Sequence, residues 1–211
     1  MSDPPLDADL LEHAYRLGAF PMARGADDPG VDWYAPDPRA VIPIEPGGFR
    51  VRRSLKQTVR REPFEIRTDT AFESVIRACA QPRPGDGGGT WISEPLVQAY
   101  VQLAARGQAH SVEAWDGETL MGGLYGVSIG GAFCGESMFS RAPFASQVCL
   151  VDLVARLRHG GYTLLDVQFV NDHLRQFGVV EIARSEYERR LAAALNVSAR
   201  WAVASLSLIH I

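Results

Sequence analysis

Two short stretches concentrate the side chains that could do chemistry. Residues 133–141, FCGESMFSR, set a thiol (Cys134), a carboxylate (Glu136), two hydroxyls (Ser137 and Ser140) and a guanidinium (Arg141) among aromatics and Met138. Residues 162–170, YTLLDVQFV, read as a strand. Alternation puts Leu165, Val167 and Phe169 on one face and Leu164, Asp166, Gln168 and Val170 on the other. Asp166 and Gln168 then point the same way, roughly 7 Å apart. Burying a carboxylate and an amide in an otherwise apolar strand is costly without partners. Either each is satisfied by a neighbouring loop, or the two work together on a nucleophile, Gln168 hydrogen-bonding it and Asp166 orienting it.

FCGESMFSR is better read as a pocket wall than as a nucleophile with its helpers. The sequence has no GxSxG elbow and no Cys-His-Asn signature. His110, His159 and His173 are scattered and read as packed or capping residues. Phe133 and Met138 supply adaptable apolar surface and Glu136 one buried anion, which suits an apolar group on one substrate and a cation on the other. Cys79, Cys134 and Cys149 show no CxxC spacing and read as reduced, buried thiols rather than a zinc or disulfide set. The glycines of residues 81–90, QPRPGDGGGT, make a mobile loop. No Lys-Ser/Thr follows, so a phosphate loop is not indicated.

The elements that must hold these residues follow from periodicity. LLEHAYRLGAFPM has Leu10, Leu11, Ala14, Tyr15 and Leu17 at helical spacing before Gly18. ARGADDPGVD reads as a loop, WYAPDPRA as a turn and AVIPI as a strand. Ser54 is placed to cap a helix, LKQTVRR; FEIRTD is a strand and AFESVIRACA a helix. From Trp91 on, a helix, three strands, a helix, a strand, a helix, a short strand and a last helix follow. That order describes a mixed, largely antiparallel sheet with helices on both faces, an α/β (α+β) fold.

The bulk numbers exclude whole classes. A chain of 211 residues, 46% hydrophobic and 22% charged, is long enough to bury a sizeable core. No run approaches the roughly 18 apolar residues of a spanning helix, and the first residues lack a signal-peptide pattern. A cytoplasmic location and no membrane partner are the expectation. The net charge of −4 argues against general nucleic-acid binding. Between Arg39 and Arg67, however, eight basic residues face three acids, and Arg53, Lys56 and Arg60 share one side of the expected helix. Such a patch either docks a phosphate backbone or is a solvated helix face.

Together GAFPM, WYAPDPRAVIP, RSLK, TWI, AHSVE, GGLYGV, FCGESMFSR, HGG and LLDVQFVNDHL resemble the leucyl/phenylalanyl-tRNA–protein transferases over roughly residues 10–195. The resemblance implies a GNAT-type acyltransferase domain (46–211) behind a small N-terminal module (1–45). It implies transfer of Leu, less readily Phe or Met, from aminoacyl-tRNA to the α-amine of proteins beginning with Arg or Lys, marking them for N-degron degradation. By matching motif, Asp166 and Gln168 are the catalytic pair, and Leu124, Phe133, Met138, Leu150, Leu153 and Leu165 form the aminoacyl pocket. Glu136 and Ser137 meet the acceptor peptide, Tyr15, Trp91 and Tyr100 the tRNA 3′ end, and Arg53, Lys56, Arg60 and Arg61 the tRNA backbone. No metal or cofactor is implied, and SRAPFASQ stands where coenzyme A users of this fold carry a glycine-rich loop. Met22 replaces a tryptophan common in the family. Three rivals remain: a coenzyme A-dependent N-acetyltransferase, an inactive RNA-binding module, and a leucyl transferase acting on N-terminal Asp or Glu.

Overall fold

The computed structural model describes residues 6–26, 28, 30–82 and 89–202. Most of the glycine-rich loop and the last nine residues of the tail lie outside these. In chain order the elements are α1 (Ala8–Arg16), β1 (Phe20–Ala23), β2 (Val31–Tyr34), β3 (Arg39–Ile42), α2 (Arg53–Arg61), β4 (Glu65–Thr68), α3 (Phe72–Cys79) and α4 (Glu94–Ala105). Then come β5 (Ala109–Asp116), β6 (Thr119–Ile129), β7 (Ala132–Ser140), α5 (Ala145–Gly160), β8 (Leu164–Gln168), α6 (Asp172–Arg175), β9 (Val180–Ile182) and α7 (Arg184–Leu195).

Seven strands form one sheet in the order β4-β5-β6-β7-β8-β3-β9, antiparallel except for β7 with β8. This is the mixed, largely antiparallel sheet expected. The β1–β2 hairpin is an addition: β1 lies past the Gly18 stop of the first helix, and β2 spans the end of the expected loop and the start of the expected turn. β3 sits between β8 and β9, so a division at residue 45 would cut the large sheet, whereas one before Arg39 would not.

Alternate residues of each strand feed different cores. Leu124, Phe133 and Leu165 pack with α5 and α2, whereas Tyr125, Val127 and Cys134 pack with α1, α3 and α4. Ala132 and Leu164 join Tyr187 and Leu191 of α7. Two glycines of GGLYGV allow close packing: a Cβ on Gly122 would lie 2.6 Å from Ala145 at the start of α5, and one on Gly126 would lie 2.4 Å from the Phe133 ring. α5 is buried over most of its length and ends on Gly161 in the left-handed region (φ 78°).

α1 begins on Asp7, whose side chain accepts from the Leu10 N–H (2.9 Å). α2 starts one residue before the expected cap. Arg52 is its N-cap and no side chain caps it, so Ser54 is the second helical residue. Leu55 and Val59, at i and i+4, bury one side of α2 and leave Arg53, Lys56, Arg60 and Arg61 exposed. The described part of the tail is packed: Trp201 stacks on His110 (4.3 Å) and Phe133 (5.6 Å). No helix among the described residues is long and apolar enough to cross a membrane.

Candidate active site

β7 and β8 pair in parallel only from Ala132–Leu164 to Cys134–Asp166. Past that point they no longer pair, and a cavity of about 490 Å³ opens between them, within the usual range for ligand sites. Five of the six residues expected to form an aminoacyl pocket line it: Leu124, Met138, Leu150, Leu153 and Leu165. Phe133 does not. Its ring is fully buried in the α5-side core, against Tyr162 and Trp201. Glu136, Ser137, Gln168 and Trp91 also line the cavity, as do Phe20, Met22, Asn171 and His173, none of which periodicity singles out for a site.

Asp166 and Gln168 do not share a face. Between Ala40 and Val41 the β3–β8 register shifts, so that Val41 pairs with Asp166 and Ala40 with Gln168, and Gln168 takes a left-handed backbone (φ 59°). Such a bulge re-aims the side chain that follows it. Gln168 therefore turns into the cavity, donating from Nε2 to Glu136 Oε1 (3.1 Å), while Asp166 stays behind the strand and off the cavity wall. A non-glycine residue at positive φ costs of order 1–3 kcal/mol and persists only where its surroundings over-determine it. Asp166 supplies part of that determination by accepting from the Gln168 N–H at Oδ1 (3.0 Å).

Asp166 is completely buried and fully subscribed. Arg39 donates to Oδ1 from Nε (2.9 Å) and to Oδ2 from Nη2 (2.6 Å), and Tyr187 donates to Oδ2 (3.0 Å). With the Gln168 N–H, four donors fill the roughly four lone-pair positions a carboxylate offers. Arg39 is itself 1% exposed, donates to the Gly18 carbonyl (3.1 Å) and lies over the Phe20 and Tyr187 rings. Burial alone would lower its pKa, but the bonds and charge of Asp166 outweigh burial and hold it above the ordinary value. Arg39 thus does not belong to the surface patch in which its charge would place it.

Glu136 stands in different company. Tyr100 donates to Oε2 (3.2 Å), and the Tyr100 hydroxyl shares a 2.6 Å hydrogen bond with that of Tyr15. Desolvation pushes the Glu136 pKa up to about 8; the charge of Asp166 adds to this, and the two tyrosine hydroxyls and Arg39 oppose it. Glu136 is expected from the sequence as one buried anion; burial works against that charge and favours the protonated form. Tyr15 and Tyr100 are also corrected. Both are buried in the core with α1 and α4, so neither ring face is open to a base, and what they present is hydroxyl groups to Glu136. Trp91 alone of the three expected aromatics faces the cavity. Cys134 is 2% exposed, and burial, then the charges of Asp166 and Glu136, push its thiol well above the ordinary value. That is the opposite of an activated nucleophile.

Residues 42–192 match the sequence model of the leucyl/phenylalanyl-tRNA protein transferases, and residues 5–37 match that of their N-terminal domain. A leucyl/phenylalanyl-tRNA–protein transferase of Paramagnetospirillum magneticum is 51% identical over 208 residues, which covers 95% of this chain and 98% of the relative. One from Caulobacter vibrioides is 53% identical over 193 residues, covering 92% and 88%. This chain belongs to the leucyl/phenylalanyl-tRNA–protein transferase family.

Proposed function

We propose that this protein is an aminoacyltransferase that moves Leu, and less readily Phe or Met, from aminoacyl-tRNA to the α-amine of proteins beginning with Arg or Lys. Such products would enter N-degron degradation in the cytoplasm. The observation that carries the reading is a single cavity with an apolar wall (Leu124, Met138, Leu150, Leu153 and Leu165) running into a polar end (Glu136, Ser137 and Gln168). The apolar wall suits the aminoacyl side chain and the polar end its ester and the incoming amine. An aminoacyl ester is already activated, so aminolysis needs a positioned neutral amine and a stabilised tetrahedral intermediate but no covalent enzyme intermediate.

Gln168 reaches this polar end and is the group that touches the reacting atoms. Asp166 is a positioning residue acting through the Gln168 backbone. Trp91 offers a face to the terminal adenosine, where stacking is worth about 1–3 kcal/mol per base. Arg53, Lys56, Arg60 and Arg61 project from α2 toward phosphates, contacts that add affinity without reading sequence. The parallel β7–β8 pair that parts over a ligand cavity is the feature behind a GNAT-type reading of the sheet. The turn before α5 favours tRNA over coenzyme A. The first two N–H groups of α5 already have acceptors, Ala145 on the Ala142 carbonyl (3.2 Å) and Ser146 on Ser140 Oγ (3.3 Å), rather than facing an open pyrophosphate cradle.

The test offers labelled Leu-tRNA, Phe-tRNA and acetyl-coenzyme A to peptides starting with Arg, Lys, Asp or Ala. Leucyl product on Arg and Lys peptides is expected. Acetylation, or leucylation of the Asp peptide alone, would replace this reading with one of its rivals.

A further inference from the structure

Among the described residues that line the cavity Glu136 is the only acid, and it meets the Gln168 side chain at the polar end proposed for the attacking amine. The α-amine of a protein arrives largely as an ammonium and must lose a proton before it can attack. Asp166 cannot take that proton: it is sealed from the cavity and its acceptor positions are occupied by Arg39, Tyr187 and the Gln168 N–H. We infer that Glu136 is the proton-accepting catalytic base of the transfer, and that the hydroxyl pair Tyr15–Tyr100 holds it in place as positioning residues. The inference rests on the transferase reading above and deepens it.

The geometry supports each half. Glu136 Oε1 is tied to the Gln168 amide and Oε2 to the Tyr100 hydroxyl, both neutral donors. They fix the carboxyl without clamping it in one charge state as a guanidinium would. The groups facing it are Tyr15 on α1, Tyr100 on α4, Tyr125 on β6, Cys134 on its own strand, Asp166 on β8 and Arg39 on β3. Tyr15, Tyr100 and Tyr125 are buried, and desolvation holds their hydroxyls well above the ordinary value, so they remain neutral donors. Glu136 is left as the titrating member of the cluster, poised at about 8. A base is most effective when its pKa lies near the working pH, and protein α-amines titrate near 8 as well, so the transfer between the two is close to thermoneutral.

The step balances without a co-reactant. Ionised Glu136 takes one proton from the ammonium, and the freed nitrogen lone pair forms a C–N bond at the ester carbonyl carbon. The bond from that carbon to the tRNA 3′ oxygen then breaks, and Glu136 returns its proton to the departing oxygen. The second proton on the new amide nitrogen leaves to solvent. One ammonium and one ester give one amide, one tRNA 3′-hydroxyl and one proton, with no change of oxidation state.

The experiment is single-turnover transfer from Leu-tRNA to an Arg-initiated peptide, titrated up to saturation at each pH between 6 and 9, for the wild type, Glu136→Gln and Tyr100→Phe. Binding of an amide-linked Leu-tRNA analogue serves as the folding control. The wild type should give a bell, because the productive pair is an ionised Glu136 with a protonated amine or its equivalent. Glu136→Gln should bind the analogue normally, fall about 10²-fold near pH 8, and show a single rising limb at the peptide's own amine pKa. Tyr100→Phe should keep the bell but move its acid limb up by about one pH unit, since the ionised carboxyl loses a donor. A bell that survives Glu136→Gln overturns the inference. So does an effect confined to KM for basic acceptors with kcat intact, which would make Glu136 a recognition residue only. If the wild type forms no leucylated peptide at any pH, the transferase reading itself fails; that result differs visibly from an active enzyme with an unmoved profile.

Discussion

The wall of β7 and the back of β8 each bury a carboxyl group, and the protein treats the two in opposite ways. Behind β8, Asp166 is gripped by a guanidinium, a phenol and a backbone N–H, and it fixes the left-handed turn at Gln168. On β7, Glu136 faces the cavity among neutral donors and is pushed up to about 8 by desolvation. A charge-compensated carboxylate makes a rigid support; an uncompensated one remains free to exchange a proton. Side by side they divide positioning from proton transfer, and that division is open to direct attack.

Arg39→Met should have the largest effect. It strands the Asp166 charge in the core and is expected to cost about 3–5 kcal/mol of stability, read by urea denaturation. Adding Asp166→Asn should recover part of that loss, because the stranded charge is gone. If Arg39→Met cost no more than a surface substitution, Asp166 would not be the anchored member of the pair.

On the other side of the comparison, Glu136→Gln should stabilise the fold. The folded pKa of about 8 exceeds the ordinary 4.5, so the folded state binds the extra proton and Glu136 causes stability to fall as pH rises from 4.5 to 8. Relative to wild type the Gln variant should gain about 2–5 kcal/mol at pH 8 and little at pH 5. A gain that does not depend on pH would place the carboxyl in ordinary solvent. Met138→Ala moves an energy of about 1–3 kcal/mol between substrates: by enlarging the apolar wall it should raise Phe use relative to Leu while leaving the Glu136-dependent pH profile alone. The smallest effect belongs to the surface. Lys56→Ala with Arg60→Ala should weaken all charged tRNAs alike and flatten the salt dependence of binding by about one unit of slope per lost contact. An unchanged slope would return α2 to a solvated face.

The sheet from β5 to β8, and α5 across it, are legible in the sequence because alternation and helix length are unambiguous there. The β1–β2 hairpin is not: FPMA and VDWY are four residues each, and the stretch between them reads as loop by composition. The turn at Gln168 leaves no trace either, since nothing in a glutamine signals positive φ, and strict alternation therefore puts it on the Asp166 face. Arg39 reads as one more surface base because charged residues usually are exposed; its partner lies 127 positions away. Helical spacing does mark the side of α1 that carries Tyr15 as apolar. That signal means core, and the structure follows it rather than the ring-stacking role carried over from the family resemblance.

The most direct test is a carbon-13 NMR titration of the glutamate side-chain carboxyls in the full chain, with the Glu136 resonance assigned by its loss in Glu136→Gln. A midpoint near pH 8 is expected, moving higher in Tyr100→Phe. A midpoint in the ordinary carboxylate range near 4.5 would contradict the division of labour between the two carboxyls.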